Sequence, residues 1–360
     1  MPSSMDMSLL KRLTEAPGVS GLEGPVREIV RDALSGLSKD FSTDPMGNLI
    51  TRIPGPGPRL LLDAHMDEVG FLVRHIDKDG FLRLISIGGV DPRVVYGQAV
   101  TVHGIEPMRG VVGSVPPHIL GGDDEKKQVV PLEELFVDLG LPAEEISRLV
   151  TVGDTVTFAT QWYENTFSVQ SKALDDRVGL FVMIEGLREA MREGKGLPCD
   201  LYLLASTQEE VGLRGAGPAA RRIVPDLVLA LEGTVANDLP GVPSHQVLSS
   251  INRGPEIRLS DARFLADRAW ASFIISLAQD AKLPHQMVVK KAGGTNAAAL
   301  QVEGQGGARA AALSVPVRYI HAPAGIASIS DITAAISLTA RVILNAHRFW
   351  NGVSADKAGL

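Results

Sequence analysis

Leu60-Leu61-Leu62-Asp63-Ala64-His65-Met66-Asp67-Glu68-Val69-Gly70 decides the fold of this chain. It follows Ile53-Pro54-Gly55-Pro56-Gly57-Pro58, too rich in proline and glycine for the interior of a helix or strand. The three leucines form a short apolar run bounded by breakers, which predicts a strand covered on both faces. At its end the chemistry turns to His-Met-Asp-Glu. Residues two apart on a strand point the same way, so His65 and Asp67 are expected on one side. A carboxylate beside an imidazole is a common means of orienting a metal-ligating histidine. A lone His-x-Asp is more often a polar surface loop, and the rest of the chain decides between the two.

Upstream, Ser8–Glu15 predicts a short helix ended by Pro17-Gly18. Ser20-Gly21-Leu22-Glu23 has the pattern of a capping box, and apolar residues from Val26 to Leu37 then recur at helical spacing. A turn at Asp44–Asn48 leads into the strand Leu49–Ile53. From Phe71 to about Thr160 the texture changes to short strand-like pieces between turns, which predicts a small β-sandwich or barrel. One helix is expected within it at Pro131–Gly140, and a charged loop at Gly121–Lys127. His103 and His118 fall here and read as structural histidines. This block reads as a second domain inserted into the first, with little helix of its own and an apolar face that needs cover from elsewhere.

After Tyr163 the α/β rhythm returns. Ser171–Gly179 leads into a helix, Asp200–Ala205 and Asp226–Leu231 read as buried strands, and a helix near Phe264–Ala281 precedes the strand His285–Lys290. The loop Gly293–Ala299, a strand near Ala310–Val315 and a last helix over Ser328–Asn345 complete the chain. The domains are therefore expected at 1–70 (catalytic, first part), 71–163 (inserted), 164–350 (catalytic, second part) and 351–360 (tail).

Composition narrows the function. A net charge of −7, with no basic stripe, argues against nucleic-acid and anionic-membrane partners. The single cysteine, Cys199, excludes an intramolecular disulfide and a Cys-based zinc site. The first residues lack the pattern of a signal peptide, and no apolar run approaches the ~20 residues of a membrane span. A cytoplasmic location is the default expectation.

The polar clusters sit where an α/β sheet binds ligands. His65, Glu209-Glu210 and Glu232 each lie just beyond or at the carboxyl end of an expected buried strand, Asp175 precedes a helix and His321 follows a strand. Imidazoles and carboxylates without thiolates suit zinc, cobalt or manganese. Two such ions ~3.5–4 Å apart activate a bridging water in known hydrolases, given a bridging carboxylate and a base that is not itself a ligand. Neighbouring side chains do not easily reach one ion, so of Glu209 and Glu210 one is expected to ligate and the other to hold the water.

Asp63-Ala-His-Met-Asp-Glu-Val-Gly70, Lys172-Ala-Leu-Asp-Asp-Arg-Val-Gly179, Thr207-Gln-Glu-Glu-Val-Gly212 and Val317-Arg-Tyr-Ile-His321 are similar to the signatures of the tetrahedral (TET) aminopeptidases. These are also called the glutamyl aminopeptidase or endoglucanase M family, metallopeptidase family forty-two. The four motifs occur in the family's order and the resemblance covers nearly the whole chain. It implies an α/β fold, a phosphorylase/hydrolase-like three-layer α/β/α catalytic domain with an inserted β-rich, barrel-like dimerisation domain. It implies two divalent metals, His65 and Glu232 on one, Glu210 and His321 on the other, with Asp175 bridging. Asp67 would steady His65, Glu209 would be the general base, and Gly294, Thr295 and Asn296 would lie at the substrate. The implied activity is removal of N-terminal residues from short peptides by a homo-oligomer, dimers assembled into a tetrahedral dodecamer.

Two positions depart from the family pattern. Glu232 stands where the family usually has Asp, which bears on site geometry and metal preference. Gly293-Gly-Thr-Asn-Ala-Ala298 stands where Gly-Gly-Thr-Asp-Ala-Gly is usual, so one carboxylate near the substrate is missing. Other readings keep the fold and change the substrate to other amides or acyl-amino acids, or remove turnover and leave an oligomeric scaffold. A glucan substrate ranks low, because glycosidases usually work with a carboxylic acid pair and no metal.

Overall fold

The computed structural model describes residues 5–116, 119, 129–192, 194 and 196–358. His118 and the segment Gly121–Lys127 lie outside the described residues. The chain opens with helices α1 (Met7–Glu15) and α2 (Gly24–Leu34), then strands β1 (Asp40–Thr43), β2 (Leu49–Ile53) and β3 (Arg59–His65). Strands β4 (Gly70–Ile76), β5 (Leu82–Ile87), β6 (Ala99–His103), β7 (Pro107–Gly113), β8 (Phe136–Asp138) and β9 (Thr155–Phe158) follow, with helix α3 (Ala143–Leu149) before the last of them. Strands β10 (Tyr163–Glu164) and β11 (Ser168–Ser171) lead to α4 (Leu174–Met191), β12 (Asp200–Ser206), α5 (Ala216–Ile223) and β13 (Leu227–Val235). The rest is β14 (Glu256–Ser260), α6 (Arg268–Asp280), β15 (Gln286–Val289), α7 (Ala297–Glu303), β16 (Arg309–Arg318), β17 (Gly325–Ser328) and α8 (Ile329–Ala358).

The pivotal strand β3 lies in the interior of the main sheet. It pairs in parallel with β12 on one side and β13 on the other, and β13 pairs in parallel with β16. Alternation along β3 splits its leucines between two cores. Leu60 and Leu62 face a large core with α1, α2, α4, α6 and α8. Leu61 faces a smaller, alanine-rich core under α5 and α7. That is the expected α/β/α sandwich. Helix α8 is long and apolar enough by composition to cross a membrane. Its Ile332, Leu338, Val342 and Ile343 are instead buried in the larger core.

Between β3 and β10 the six strands close into a barrel in the order β4-β5-β8-β7-β6-β9. Phe71, Leu84, Val102, Val137 and Val156 fill it, and Phe71 meets Phe158 edge to face at 5.6 Å. The barrel thus covers its own apolar face, which removes the expectation that this face needs a partner. The helix expected at Pro131–Gly140 is a single 3-10 turn, Leu132–Glu134, followed by β8. Apolar spacing at 132, 135, 136 and 139 looks helical. Phe136 and Val137 instead pair with Arg83 and Leu82 and with Gly113 and Val112, and this pairing closes the barrel. The last helix also runs past Asn345, through the expected tail to Ala358.

Candidate active site

The carboxyl ends of β3, β12 and β13 converge with the loops before α4 and after β16. His65 closes β3 and is 1% exposed. Its Nδ1 faces the Asp67 backbone oxygen at 3.1 Å and the Asp67 Oδ1 at 3.3 Å. Nε2 is then left towards Asp175 Oδ1 at 3.3 Å, Glu232 Oε2 at 3.7 Å and Glu209 Oε2 at 4.0 Å. His321 lies on the other side of Asp175, its Nε2 3.4 Å from Oδ2 and 3.2 Å from Glu210 Oε1. Its Nδ1–H donates to the backbone oxygen of Gly89, at 2.9 Å, in the loop after barrel strand β5.

The backbone is shaped for this meeting. Gly233 follows Glu232 where any Cβ would come within 2.9 Å of Asp175 Cα, so a side chain there would push the loop away. The neighbouring Asp176 turns inward, accepting from the amides of His65, Gly179 and Gly233. Ala173, Gln208, Tyr319 and His321 all have positive φ, a conformation that costs non-glycine residues about 1–3 kcal/mol each and gathers at functional sites.

Charge is crowded here. Burial pushes Glu209 and Glu232 up, Glu232 to about 7, and the neighbouring carboxylates add to the rise against the pull of His65. Burial also raises Glu210. Burial works against the charged form of both histidines, yet their carboxylate partners hold them charged, His321 up to about 11. Each imidazole thus sits among carboxylates that favour a positive charge there. A cation set there supplies the same charge, and the donors fit one. His65, Asp175 and Glu232 form one group of potential ligand atoms, and Asp175, Glu210 and His321 another, each within 4.8 Å. Asp175 belongs to both.

The loop Gly293–Ala298 divides in two. Gly294 lines the cleft, a space of about 1110 Å³ that also touches His65, Asp175, Glu209, Glu210, Glu232 and His321. Thr295 and Asn296 lie beneath it, fully buried. The Thr295 hydroxyl donates to Glu232 Oε1, and Asn296 Nδ2 donates to the Ser206 hydroxyl at 2.9 Å. Neither lines the cleft, although both were expected at the substrate, and helix α7 starts at Ala297 within the loop. Asp63, two residues before His65, is also fully buried. Burial pushes it up to about 6, with the Ser206 and Asn296 side chains pulling the other way. His103 stays outside the site, 2.9 Å from Thr157 Oγ1 across β6 and β9.

Some contributors carried no signal at the site's own spacing. Arg258 is a buried brace, held by Glu256 and Asp261 and donating to Gly294 O and Thr234 Oγ1. Ser20 and Glu23 do not form the capping box. Glu23 makes no side-chain bond to cap α2, and Ser20 donates instead to Asp67 Oδ2 at 2.6 Å.

The family model described as M42 glutamyl aminopeptidase matches residues 47–338, and a second, described as AMPT, matches residues 5–29. The lysyl aminopeptidase of Pyrococcus furiosus is 33% identical over 93% of this chain and 95% of its own. A TET aminopeptidase from the marine sediment archaeon Thaumarchaeota archaeon SCGC AB-539-E09 superposes with a TM-score of 0.92 at 33% identity, covering 96% of this chain and 98% of its own. The Pyrococcus horikoshii TET1 peptidase, described as assembling into a tetrahedron or a large octahedral shell, does so at 0.84 and 31%, covering 95% and 99%. With the fold, the motifs and these relatives in agreement, the chain belongs to the M42 glutamyl aminopeptidase family of peptide hydrolases.

Proposed function

We propose that this protein removes N-terminal residues from short peptides with two divalent cations, zinc, cobalt or manganese, at the Asp175 cluster. The observation that carries the reading is the split carboxylate of Asp175, one oxygen towards His65 and the other towards His321. His65 and Glu232 would hold one cation, Glu210 and His321 the other, and Asp175 both. When bound, such ions polarise the scissile carbonyl and make a water acidic enough to attack at neutral pH.

The chain supplies the rest. Glu209 lies among the ligands yet stands opposite His65 Nε2 at 4.0 Å, farther than Asp175 or Glu232. Its carboxylate, with an affinity for protons raised by burial, takes the proton of the attacking water at Oε2 and returns it to the leaving amine nitrogen. Asp67 holds the Nδ1–H of His65, and Gly89 O that of His321, so both rings present Nε2 to the cluster.

The test is chelation followed by reloading. Hydrolysis of aminoacyl-p-nitroanilides that is lost on chelation and restored by zinc, cobalt or manganese is expected, with no turnover of N-acetylated anilides. Equal rates on blocked anilides, or hydrolysis of carboxymethylcellulose, overturn the reading. The assembly proposed is a closed homo-oligomer built from dimers. It is supported by the relatives' shells and by apolar side chains on the outside of the barrel, Ile105 at 81% and Val152 at 65% exposed. A monomeric mass by light scattering on metal-loaded protein overturns that part alone.

A further inference from the structure

Three successive backbone amides leave the end of β12, and two buried carboxylates hold all three. Gln208 N–H donates to Glu23 Oε1 at 3.2 Å, Glu209 N–H to Asp67 Oδ1 at 3.0 Å, and Glu210 N–H to Asp67 Oδ2 at 3.1 Å. Glu23 is 3% exposed, and the same oxygen also takes the amide of Gly21 at 2.7 Å. Asp67 Oδ2 in turn is held by the Ser20 hydroxyl. The segment between α1 and α2 therefore reaches under the loop that carries both glutamates. Beyond the three amides the loop folds on itself, with the amides of Gly212 and Leu213 donating to Glu209 O.

We propose that Glu23 is a positioning residue for Glu209, and Ser20 a positioning residue for Asp67. The inference rests on the reading of Glu209 as the base. One Glu23 oxygen accepts from the amides of both Gly21 and Gln208, so it ties the segment before α2 to the loop that carries Glu209. Gln208 sits at φ +56°, so the turn that aims Glu209 is held only by what surrounds it. Removing the Glu23 carboxylate strips Gln208 N–H of its acceptor and frees that turn to relax, carrying Glu209 away from the reacting water. Metal ligands are reached by neither bond of Glu23. Ser20 acts differently, because the Asp67 it steadies also orients His65 and holds the Glu210 amide.

The experiment compares Glu23→Ala, Glu23→Gln, Ser20→Ala and Glu209→Gln as full-length, metal-loaded protein. Each is read for kcat and KM on an aminoacyl-p-nitroanilide, for metal content by emission spectrometry, and for melting temperature. Glu23→Ala is expected to lose about 10-fold or more in kcat, with KM within about twofold and parental metal content. Glu23→Gln keeps an acceptor oxygen and is expected to recover most of that loss. Ser20→Ala is expected to show its effect in metal retention. If Glu23→Ala does not fold, Glu23→Asp takes its place, since it withdraws the acceptor by about 1.5 Å. Parental kcat in the tested Glu23 variant overturns the inference, as does a loss that follows metal content or that Glu23→Gln fails to recover. Full activity in Glu209→Gln overturns the base reading itself, and so separates the two failures.

Discussion

Thr295 donates its hydroxyl hydrogen to Glu232 Oε1 at 2.6 Å, leaving Oε2 towards His65. Glu232 is thus tied at one oxygen and offers the other to the cluster. Glu232→Asp withdraws both oxygens by about 1.5 Å. It is expected to change the order of activation by zinc, cobalt and manganese more than it changes the melting temperature. An unchanged metal profile counts against Glu232 as a ligand.

The adjacent glutamates separate by readout. Glu209→Gln is expected to retain metal and lose about 10²–10⁴-fold in kcat, the usual contribution of a positioned base. Glu210→Gln is expected to lose metal first, and activity only as the metal leaves. Emission spectrometry beside steady-state kinetics distinguishes them.

The cleft wall away from the carboxylate cluster carries Arg258, Arg263, Lys290 and Lys291. Glu256 and Asp261 neutralise Arg258 and Lys290, which leaves Arg263 and Lys291 exposed and with no ion-pair partner among the described residues. Peptides beginning with Asp or Glu are therefore expected to be preferred over those beginning with Lys. Lys291→Glu is expected to shift that ratio about 2- to 5-fold, the size of an exposed charge pair. A panel of aminoacyl anilides in low and high salt checks it.

Glu68 is buried with two cations, Lys172 Nζ at 2.7 Å and Arg177 at 3.5 Å, and also takes the Gly18 amide. Glu68→Gln leaves two buried positive charges without their carboxylate. A loss of about 3–5 kcal/mol is expected, measured by denaturant unfolding.

The sheet and the candidate ligands were legible for one reason. Strands β3, β12 and β13 are buried on both faces, so their apolar runs stop abruptly where polar chemistry begins, and that edge is the site. Glu209, Glu210, Asp175 and His321 all met there as their motifs implied. What was not legible depends on partners distant in the chain. Leu132, Leu135 and Leu139 carry a helical spacing that the pairing of Phe136 and Val137 overrides. Ser20 and Glu23 have the spacing of a local cap, but Ser20 finds its acceptor 47 residues away and Glu23 takes, besides Gly21, a donor 185 residues away. Thr295 and Asn296 sit in a loop with the composition of a ligand contact, and only the three-dimensional packing puts them behind the wall.

The bond between His321 and Gly89 joins the two structural units by main chain on the barrel side. Gly88 beside it has φ +81°, and a Cβ there would meet Val69 at 2.8 Å, so the loop keeps its path only with glycine. The acceptor that aims a candidate ligand is therefore main chain, and changes to the outward side chains of the barrel do not remove it. Insertion and excision are a different matter: a catalytic unit shorn of its barrel would carry all its motif residues and still lack one hand on His321.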